Sequence, residues 1–318
     1  MPLQRNAAML ALLIALTAQN AQAGPLRDRL NERRAAQQSE SIEREAADTA
    51  PRADLQDIRI VRDIAYGSDP RQRFDVYAPQ QSVSNAPVIL MVHGGAWSVG
   101  DKGSAAVFEN KVARWVSRGF ILISANYRLL PAAAPLQQAE DVARALAVAQ
   151  QRAPEWGGDQ AKFVLIGHSA GAHLVALLAA SPTLAKQAGA APWLGTIALD
   201  SAAYDIPQIM AAQHYRFYDK AFGSDPAYWR ATSPIHLMQA APAPFLAVCS
   251  STRRDHPCVQ ANAFVSSARK LGAQASVLEQ PLSHGDINLQ LGRQPAYTAA
   301  VEEFMRTLDA SLAQRLNH

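Results

Sequence analysis

The sequence predicts one α/β domain with a mostly parallel sheet of about eight strands and helices on both faces. Short apolar runs rich in β-branched residues alternate along the chain with segments of helical spacing, which is the pattern of strand-helix-strand crossovers. Hydrophobic residues make up 49% of the 318 positions and charged residues 18%, so the chain can bury a sizeable core without a cofactor. A serine between two glycines follows one of the strands and precedes a helical segment.

The strands follow one another as short apolar runs. In chain order they read IRIVRDIAY, FDVYAP, PVILMVHGG, FILISANYR, FVLIGHSAG, LGTIALDSA, PFLAVCSS and ASVLEQP. Helical spacing is expected around residues 111–118, 140–151, 170–180, 259–271 and 298–312. These helices supply the crossovers that a parallel sheet needs.

The first residues predict a signal peptide at 1–23. Arg5 gives a positive start, an apolar run follows from Met9 to Ala18, and small residues end the segment at Ala23. An apolar run of about ten residues is shorter than the roughly 20 that span a bilayer, which argues against the alternative of a membrane anchor. We therefore expect cleavage after Ala23, no membrane span afterwards, and a periplasmic or secreted protein.

Residues 24–56 predict a flexible charged leader ahead of a catalytic domain at 57–318. The segment is rich in Arg, Glu, Ala and Gln and carries almost no bulky apolar residues, so it adds little to a core. A helix that binds a partner remains the alternative for this leader.

A second irregular segment, residues 203–241, predicts a small lid inserted into the domain. It is unusually rich in proline and aromatic residues, which include Tyr204, Tyr215, Phe217, Tyr218, Phe222, Tyr228 and Trp229. Such residues supply the apolar walls of a substrate pocket. Packing of the same rings as a minor core remains open.

The segment GHSAG at residues 167–171 is the strongest indication of chemistry. It lies between the strand KFVLI and the helical AHLVALLAA, the context that a nucleophilic serine on a strained strand-to-helix turn requires. The small residues Gly167 and Gly171 let the backbone turn sharply around Ser169. We therefore expect Ser169 to be a nucleophile.

A loop of small residues, HGGAW at 93–97, follows the strand VILMV. Acyl transfer builds negative charge on a tetrahedral intermediate, and closely approaching backbone amides can stabilise that charge. We expect the amides of Gly95, Ala96 and Ala170 to form this oxyanion hole.

Together HGGAW, ANYRLLPAAAPLQQAEDVARAL and VLIGHSAGAHLVALLA resemble the hormone-sensitive-lipase-like carboxylesterases and, through the tryptophan after HGG, kynurenine-formamidase-like α/β-hydrolases. The resemblance begins at about residue 57 and implies an α/β-hydrolase fold. It also implies that Tyr127 and Arg128 are structural, that Asp141 ties a helix to a loop, and that His93 steadies the oxyanion loop. Ala96 departs from a glycine run but keeps the backbone donor.

The general base is expected late in the chain, because this fold orders its triad as serine, acid, histidine. His284, in the loop LSHGD after the last strand, is the candidate, while His256 adjoins another loop and His318 is the last residue. The earlier histidines fall inside motifs with other roles: His93, His168 and His173.

The acid is expected to be Asp255, after the strand PFLAVCSS and on the loop where the resembling family carries its acid. Asp200 and Asp205, after LGTIALD, are rivals. Arg253 and Arg254 precede Asp255, and their charges compete for its carboxylate unless they face solvent.

The two cysteines, Cys249 and Cys258, are about nine residues apart and bracket Asp255. Export to an oxidising compartment favours a disulfide there, but two separate thiols remain equally open. No HExxH metal motif occurs in the sequence, so we expect neither a metal nor another cofactor.

These observations predict an exported serine esterase that acts on small or polymer-linked carboxylic esters through an acyl-enzyme. A formal net charge of +3, with scattered lysines and arginines, gives no nucleic-acid surface. An aryl-formamide hydrolase with the same triad is the alternative reading, and a non-catalytic binding protein on the same fold is the second. The sequence leaves the oligomeric state open.

Overall fold

The computed structural model describes residues 55–317, so the signal peptide and nearly all of the leader lie outside the described residues. The eight strands are β1 (Ile58–Ala65), β2 (Arg73–Pro79), β3 (Ala86–Val92), β4 (Ile121–Ala125), β5 (Gly158–His168), β6 (Gly195–Leu199), β7 (Phe245–Ser250) and β8 (Ala275–Gln280). They form one sheet in the order β1-β2-β4-β3-β5-β6-β7-β8. Strand β2 pairs antiparallel with β1 and β4, and the other pairs are parallel. The eight predicted strands and the mostly parallel sheet are confirmed.

Helices cover both faces of the sheet. In the described residues they are α1 (Ala105–Trp115), α2 (Pro135–Arg152), α3 (Ala170–Ala180), α4 (Pro182–Gln187), α5 (Ile206–Ala211), α6 (Arg216–Phe222), α7 (Pro226–Ala231), α8 (Pro234–Leu237), α9 (Pro257–Lys270), α10 (His284–Leu289), α11 (Pro295–Arg306) and α12 (Ala310–Leu316). Proline opens several of them, since its missing N–H has no intrahelical acceptor at the first position. None of these helices is both long and apolar enough to cross a membrane.

The central strand β3 is apolar throughout because both of its faces are buried. All seven residues of β3 are buried. Val88 and Leu90 pack into the core beneath α2, α3 and α9, while Ile89 and Met91 pack into the core beneath α1, α11 and α12. The sheet is therefore the middle layer of three.

The parallel pairing brings the carboxyl ends of four strands to one edge of the sheet. Val92 of β3 pairs with Gly167 of β5, and His168 pairs with Leu199 of β6. Leu199 in turn pairs with Val248 of β7. The loops that follow these strands consequently lie side by side, which is where ligands bind in open α/β sheets.

The predicted insertion between β6 and β7 folds into the four short helices α5 to α8. Its aromatic side chains serve both of the functions that the sequence left open. Tyr218 and Phe222 are buried and pack with their rings 5.8 and 4.9 Å from that of Trp97. Tyr215 and Phe217 line a cavity beside Ser169.

Candidate active site

Ser169 lies at the turn between β5 and α3, with φ 55° and ψ −116°. The glycines on either side are needed because the backbone is crowded there. A Cβ on Gly171 would lie 2.3 Å from the carbonyl oxygen of Val92, and a Cβ on Gly167 would lie 2.3 Å from that of Gly171. Such strain at one residue is typical of a functional site, and it projects the hydroxyl out of the turn.

His284 meets Ser169 from the other side of the cleft, with Nε2 2.9 Å from the serine Oγ. It is the first residue of α10, whose N-cap is Ser283. Helix α1 holds the opposite end of α10: Lys111 Nζ donates to the carbonyl of Asn288 at 2.7 Å, and the Asn110 amide donates to that of Leu289 at 2.6 Å. The predicted pairing of Ser169 with His284 therefore exists in the structure.

Asp200, directly after β6, completes the hydrogen-bonded series. Its Oδ2 lies 2.6 Å from Nδ1 of His284, and its Oδ1 accepts from the Ser250 amide at 2.7 Å. The side chain is fully buried. Burial alone would raise the pKa of Asp200, but the hydrogen bond from His284 and the charge of Arg253 outweigh it and lower that pKa, so the carboxylate stays ionised.

Asp255 does not contact His284, so the expected placement of the acid is wrong in this structure. Both of its carboxylate oxygens accept from the Arg253 guanidinium, one of them from Nε at 2.9 Å. Arg253 points inward between Asp255 and Asp200 instead of toward solvent, and its Nη1 lies 3.0 Å from Nδ1 of His284. The other rival, Asp205, caps α5 and meets His236 at 3.1 Å.

The other histidines considered as candidate bases do not contact Ser169. His256 is exposed at the N-cap of α9, and His318 lies outside the described residues. His168 is buried beneath His284, and its Nε2 lies 3.0 Å from the His284 carbonyl. His173 Nε2 contacts the carbonyl of Thr232 in the insertion at 2.8 Å. Burial lowers the pKa of His168 well below its ordinary value and that of His173 to about 4, so both are neutral.

The loop after β3 presents the predicted oxyanion donors. Gly95, Ala96 and Trp97 all have positive φ, at 114°, 47° and 58°, a backbone conformation that is uncommon for residues other than glycine. Within the described part of the chain, the amides of Gly95 and Ala96 donate no hydrogen bond. Ala170 is the first residue of α3, where amides have no intrahelical acceptor. All three proposed donors line the same cavity as Ser169.

The residues given structural roles by the resemblance support this loop. His93 Nδ1 lies 2.7 Å from the carbonyl of Gly94, and the Tyr127 hydroxyl donates to the His93 carbonyl at 3.0 Å. Burial lowers the pKa of His93 to about 4, so it is neutral. Arg128 pairs with the buried Asp141 on α2 at 2.7 Å, which fixes the segment after β4.

The cavity above Ser169 has a volume of about 280 Å³. One wall is apolar, formed by Trp97 of the oxyanion loop and by Tyr215, Phe217 and Tyr218 of the insertion. His284 and the charged loop after β7 also line the cavity. A mostly apolar lining with a few oriented polar groups is typical of a small-molecule site.

Cys249 and Cys258 are joined by a disulfide, with their Cα atoms 5.2 Å apart. The bridge closes the loop after β7 onto the start of α9. Among residues 55–317, these cysteines and Glu279 form the group whose atoms have the spacing of metal ligands. Because the two sulfurs are bonded to each other, they offer no thiolate for a metal.

Comparison with known proteins places the chain in a family. A family model described as BD-FAE matches residues 74–267, which is more than half of the chain. The chain belongs to the BD-FAE family. Esterase LipQ of Mycobacterium tuberculosis is 30% identical over 260 residues, covering 76% of this chain and 61% of LipQ.

A plant relative matches a shorter part of this BD-FAE chain. The probable isoprenylcysteine alpha-carbonyl methylesterase ICMEL1 of Oryza sativa subsp. japonica is 34% identical over 118 residues, covering 37% of this chain and 27% of ICMEL1. The chain thus matches 27% to 61% of the length of these two relatives. Both names describe esterases, which agrees with the resemblance seen in the sequence motifs.

Solved structures confirm the α/β-hydrolase fold. Esterase B from Lactobacillus rhamnosis, crystallised with a tributyrin phosphonate inhibitor, superposes with a TM-score of 0.71 and 22% identity, covering 92% of this chain and 98% of that one. A truncated carbohydrate esterase from gut microbiota gives a TM-score of 0.69 and 16% identity, covering 80% and 99%.

Proposed function

We propose that this BD-FAE protein is an exported serine esterase that hydrolyses carboxylic esters through Ser169, His284 and Asp200. The observation that carries the proposal is the continuous contact from Ser169 Oγ to His284 Nε2 at 2.9 Å and from His284 Nδ1 to Asp200 Oδ2 at 2.6 Å. Ser169 lies in a cavity that is lined by the free amides of the oxyanion loop and by aromatic side chains. These are the parts that acyl transfer requires.

In the first half of the reaction, Ser169 Oγ attacks the ester carbonyl carbon while His284 Nε2 takes the hydroxyl proton. The carbonyl oxygen becomes an oxyanion, which the amides of Gly95, Ala96 and Ala170 stabilise. The intermediate then collapses, the bond to the leaving oxygen breaks, and His284 gives that oxygen the proton. An alcohol leaves and an acyl-enzyme remains.

In the second half, His284 takes a proton from water, whose oxygen attacks the acyl carbon. Collapse returns the proton to Ser169 and releases a carboxylic acid. Asp200 accepts from Nδ1 of His284 throughout, which keeps the proton-accepting lone pair on Nε2 and stabilises the imidazolium. Its burial and its amide donor at Ser250 hold it in this orientation.

We propose short acyl groups as the preferred substrates, because the cavity is only about 280 Å³ in volume and is lined by the bulky side chains of Trp97, Phe217 and Tyr218. A butyryl group fits such a space, whereas a palmitoyl chain would have to leave it. The test is to compare kcat/KM for p-nitrophenyl butyrate and p-nitrophenyl palmitate. Preference for palmitate would contradict the proposed pocket.

The first experiment labels the protein, beginning at Gly24, with a fluorophosphonate and measures intact mass. We expect one adduct on the wild type and none on Ser169→Ala, with circular dichroism showing that the variant is folded. Absence of labelling on the wild type would overturn the esterase proposal in favour of a binding protein.

Ester and formamide substrates distinguish the esterase hypothesis from the aryl-formamide hydrolase hypothesis. The esterase names of LipQ and ICMEL1 support ester hydrolysis. We expect a higher kcat/KM for aryl and alkyl esters than for N-formyl-kynurenine. The reverse order would favour the formamidase reading.

Export is proposed from the sequence at residues 1–23. The test is to express the full chain in a Gram-negative host, isolate the periplasm and determine the N-terminus. We expect a mature protein that begins at Gly24, and an uncleaved cytoplasmic chain would contradict export.

A further inference from the structure

The arginine beside the proposed triad creates an electrostatic problem. Arg253 Nη1 donates to Asp200 Oδ2 at 2.8 Å and also lies 3.0 Å from Nδ1 of His284. The imidazole nitrogen carries the proton that it donates to Asp200, so this second approach brings two donors together. When His284 becomes an imidazolium during acyl transfer, a permanent positive charge already lies next to it. By itself, Arg253 would oppose that step.

Asp255 supplies the compensating charge. It holds the guanidinium on the side away from His284, through Nε and Nη2, and both side chains are mostly buried, with exposed fractions of 18% for Arg253 and 24% for Asp255. Burial would lower the pKa of Arg253, but Asp200 and Asp255 raise it, so the arginine stays charged. Asp200 and Asp255 together balance Arg253 and a protonated His284.

We propose that Arg253 and Asp255 form a charge-balanced positioning pair for the catalytic acid of this esterase. Arg253 fixes the Asp200 carboxylate against Nδ1 of His284, and Asp255 holds Arg253 while cancelling its charge. The inference rests on the proposed function and assigns positioning roles to two residues that line the cavity but form no hydrogen bond with Ser169.

The loop that carries Arg253 and Asp255 is restrained at both of its ends. Residues 250–257 are closed by the Cys249–Cys258 disulfide at their two ends. The loop is also tied to the segment before His284, because the Ser250 hydroxyl donates to the Leu282 carbonyl at 2.6 Å. A pair that has to keep its distance from His284 constant benefits from both restraints.

The pH dependence of kcat/KM measures this charge balance around His284, because its acid limb follows protonation of the essential base in the free enzyme. The other titratable groups that face His284 are few. Among the described residues they include the neutral His168 beneath its ring, the buried Lys111 near His168, and the half-buried Asp286 on the same helix, while the buried Tyr218 of the insertion lies near Arg253 and Asp255. None of them is altered by the variants below.

The test measures kcat/KM against pH for Arg253→Met, Asp255→Asn and the double variant, with exposed Arg230→Met as the control. Removing the guanidinium makes protonation of His284 easier, so Arg253→Met moves the acid limb to higher pH. Removing the Asp255 charge leaves Arg253 unbalanced, so Asp255→Asn moves the limb to lower pH. We expect shifts of about half a pH unit or more in opposite directions.

The rates sharpen this test. A hydrogen bond to a charged group contributes about 1.5–3 kcal/mol, so kcat of Arg253→Met falls roughly tenfold to a hundredfold. The double variant returns the acid limb to about the wild-type position while kcat stays low. Arg253→Lys keeps the positive charge but loses the planar guanidinium that contacts Asp200 and Asp255 together. It therefore lowers kcat without moving the acid limb of kcat/KM.

The proposal is wrong if the acid limb of kcat/KM shifts in the same direction in Arg253→Met and Asp255→Asn. It is also wrong if both variants are folded and their acid limbs stay at the wild-type pH. If Arg253→Met fails to fold, Arg253→Lys and Asp255→Asn decide: a limb that moves in the lysine variant and stays fixed in the asparagine variant contradicts the proposal. A wild type that fluorophosphonate does not label defeats the esterase proposal itself. A labelled wild type with unmoved limbs defeats only the pair.

Discussion

The two sides of the candidate active site are held in different ways. On the nucleophile side, Ser169 is placed by backbone alone: a buried strand, a strained turn and the helix that follows it, with Gly171 pressed against the neighbouring strand. On the histidine side, the groups come from three separate loops. They are joined by side-chain hydrogen bonds, ion pairs and a disulfide.

The difference shows which part of a site can be recognised locally. The turn at Ser169 needs small residues at fixed positions before and after the serine, so a five-residue sequence motif is enough to predict it. The partners of His284 need only carboxylates and cations that the fold brings together, and these leave no fixed spacing in the chain. The nucleophile side should therefore be sensitive to added volume, and the histidine side to the loss of a charge or a cross-link.

The largest expected effect compares the two acids of the histidine side. Asp200→Asn removes the carboxylate that orients His284, and kcat should fall roughly 10⁴-fold. Asp255→Asn should cost no more than about tenfold, because Asp255 acts through Arg253. The measurement is kcat for p-nitrophenyl butyrate in folded variants. If kcat falls further in Asp255→Asn than in Asp200→Asn, Asp255 is the catalytic acid.

On the nucleophile side, Gly171→Ala tests the volume limit. The added Cβ would lie 2.3 and 2.4 Å from the carbonyl oxygens of Val92 and His93, so the free energy of unfolding should fall by about 3 kcal/mol. Gly103→Ala is the control, since its nearest neighbour is the side chain of exposed Asp101 at 3.1 Å. Equal urea midpoints for the two variants would contradict the crowding argument.

The cross-link on the histidine side is tested by replacing both Cys249 and Cys258 with alanine. A bridge across nine residues restricts the unfolded chain, and its loss should lower the free energy of unfolding by about 2–3 kcal/mol. Urea denaturation measures the change. Reductant should weaken the wild type and leave the double variant unaffected, and a wild type indifferent to reductant would contradict the role of the bridge.

The smallest effect concerns Lys111, which holds the far end of the helix that begins at His284. Burial lowers its pKa to about 7, against about 10.4 in an unfolded chain. Between these values the unfolded state binds the extra proton, so the wild type gains stability as the pH rises from about 7 and the gain is complete above the unfolded pKa.

Relative to Lys111→Met, the wild type should therefore gain about 1 kcal/mol over about one pH unit above neutrality. Free energies of unfolding for both proteins at several pH values measure this. The exposed Lys270→Met serves as the control and should follow the wild type at every pH. A constant difference between the wild type and Lys111→Met would show that Lys111 has an ordinary pKa.

Most of the fold could be predicted from the sequence because strands buried on both faces appear as mostly apolar runs. The runs that contain β3 and β5 stand out for this reason, and the eight strands appear where the alternation places them. The helix that begins at His284 was missed because it has only six residues. The short helices of the insertion were missed because prolines and aromatic residues hide their spacing.

The site could be predicted only as far as local patterns reach. Ser169 and His284 meet as expected, whereas Asp200 was treated as a rival to Asp255. Both aspartates follow neighbouring strands that end at the same sheet edge, so position in the chain does not separate them. The direction of Arg253 separates them, and its place beside Asp255 in the sequence was the available signal.

Trp97 links the breadth of substrate acceptance to the speed of the reaction. Its indole donates to His173 at 3.2 Å and forms a wall of the cavity, while its carbonyl accepts from Gln138 at 2.9 Å. Trimming this side chain to admit bulkier acyl groups would also loosen the neighbouring oxyanion amides. Natural or laboratory evolution toward larger substrates therefore has a less costly route through the insertion, at Phe217, than through Trp97.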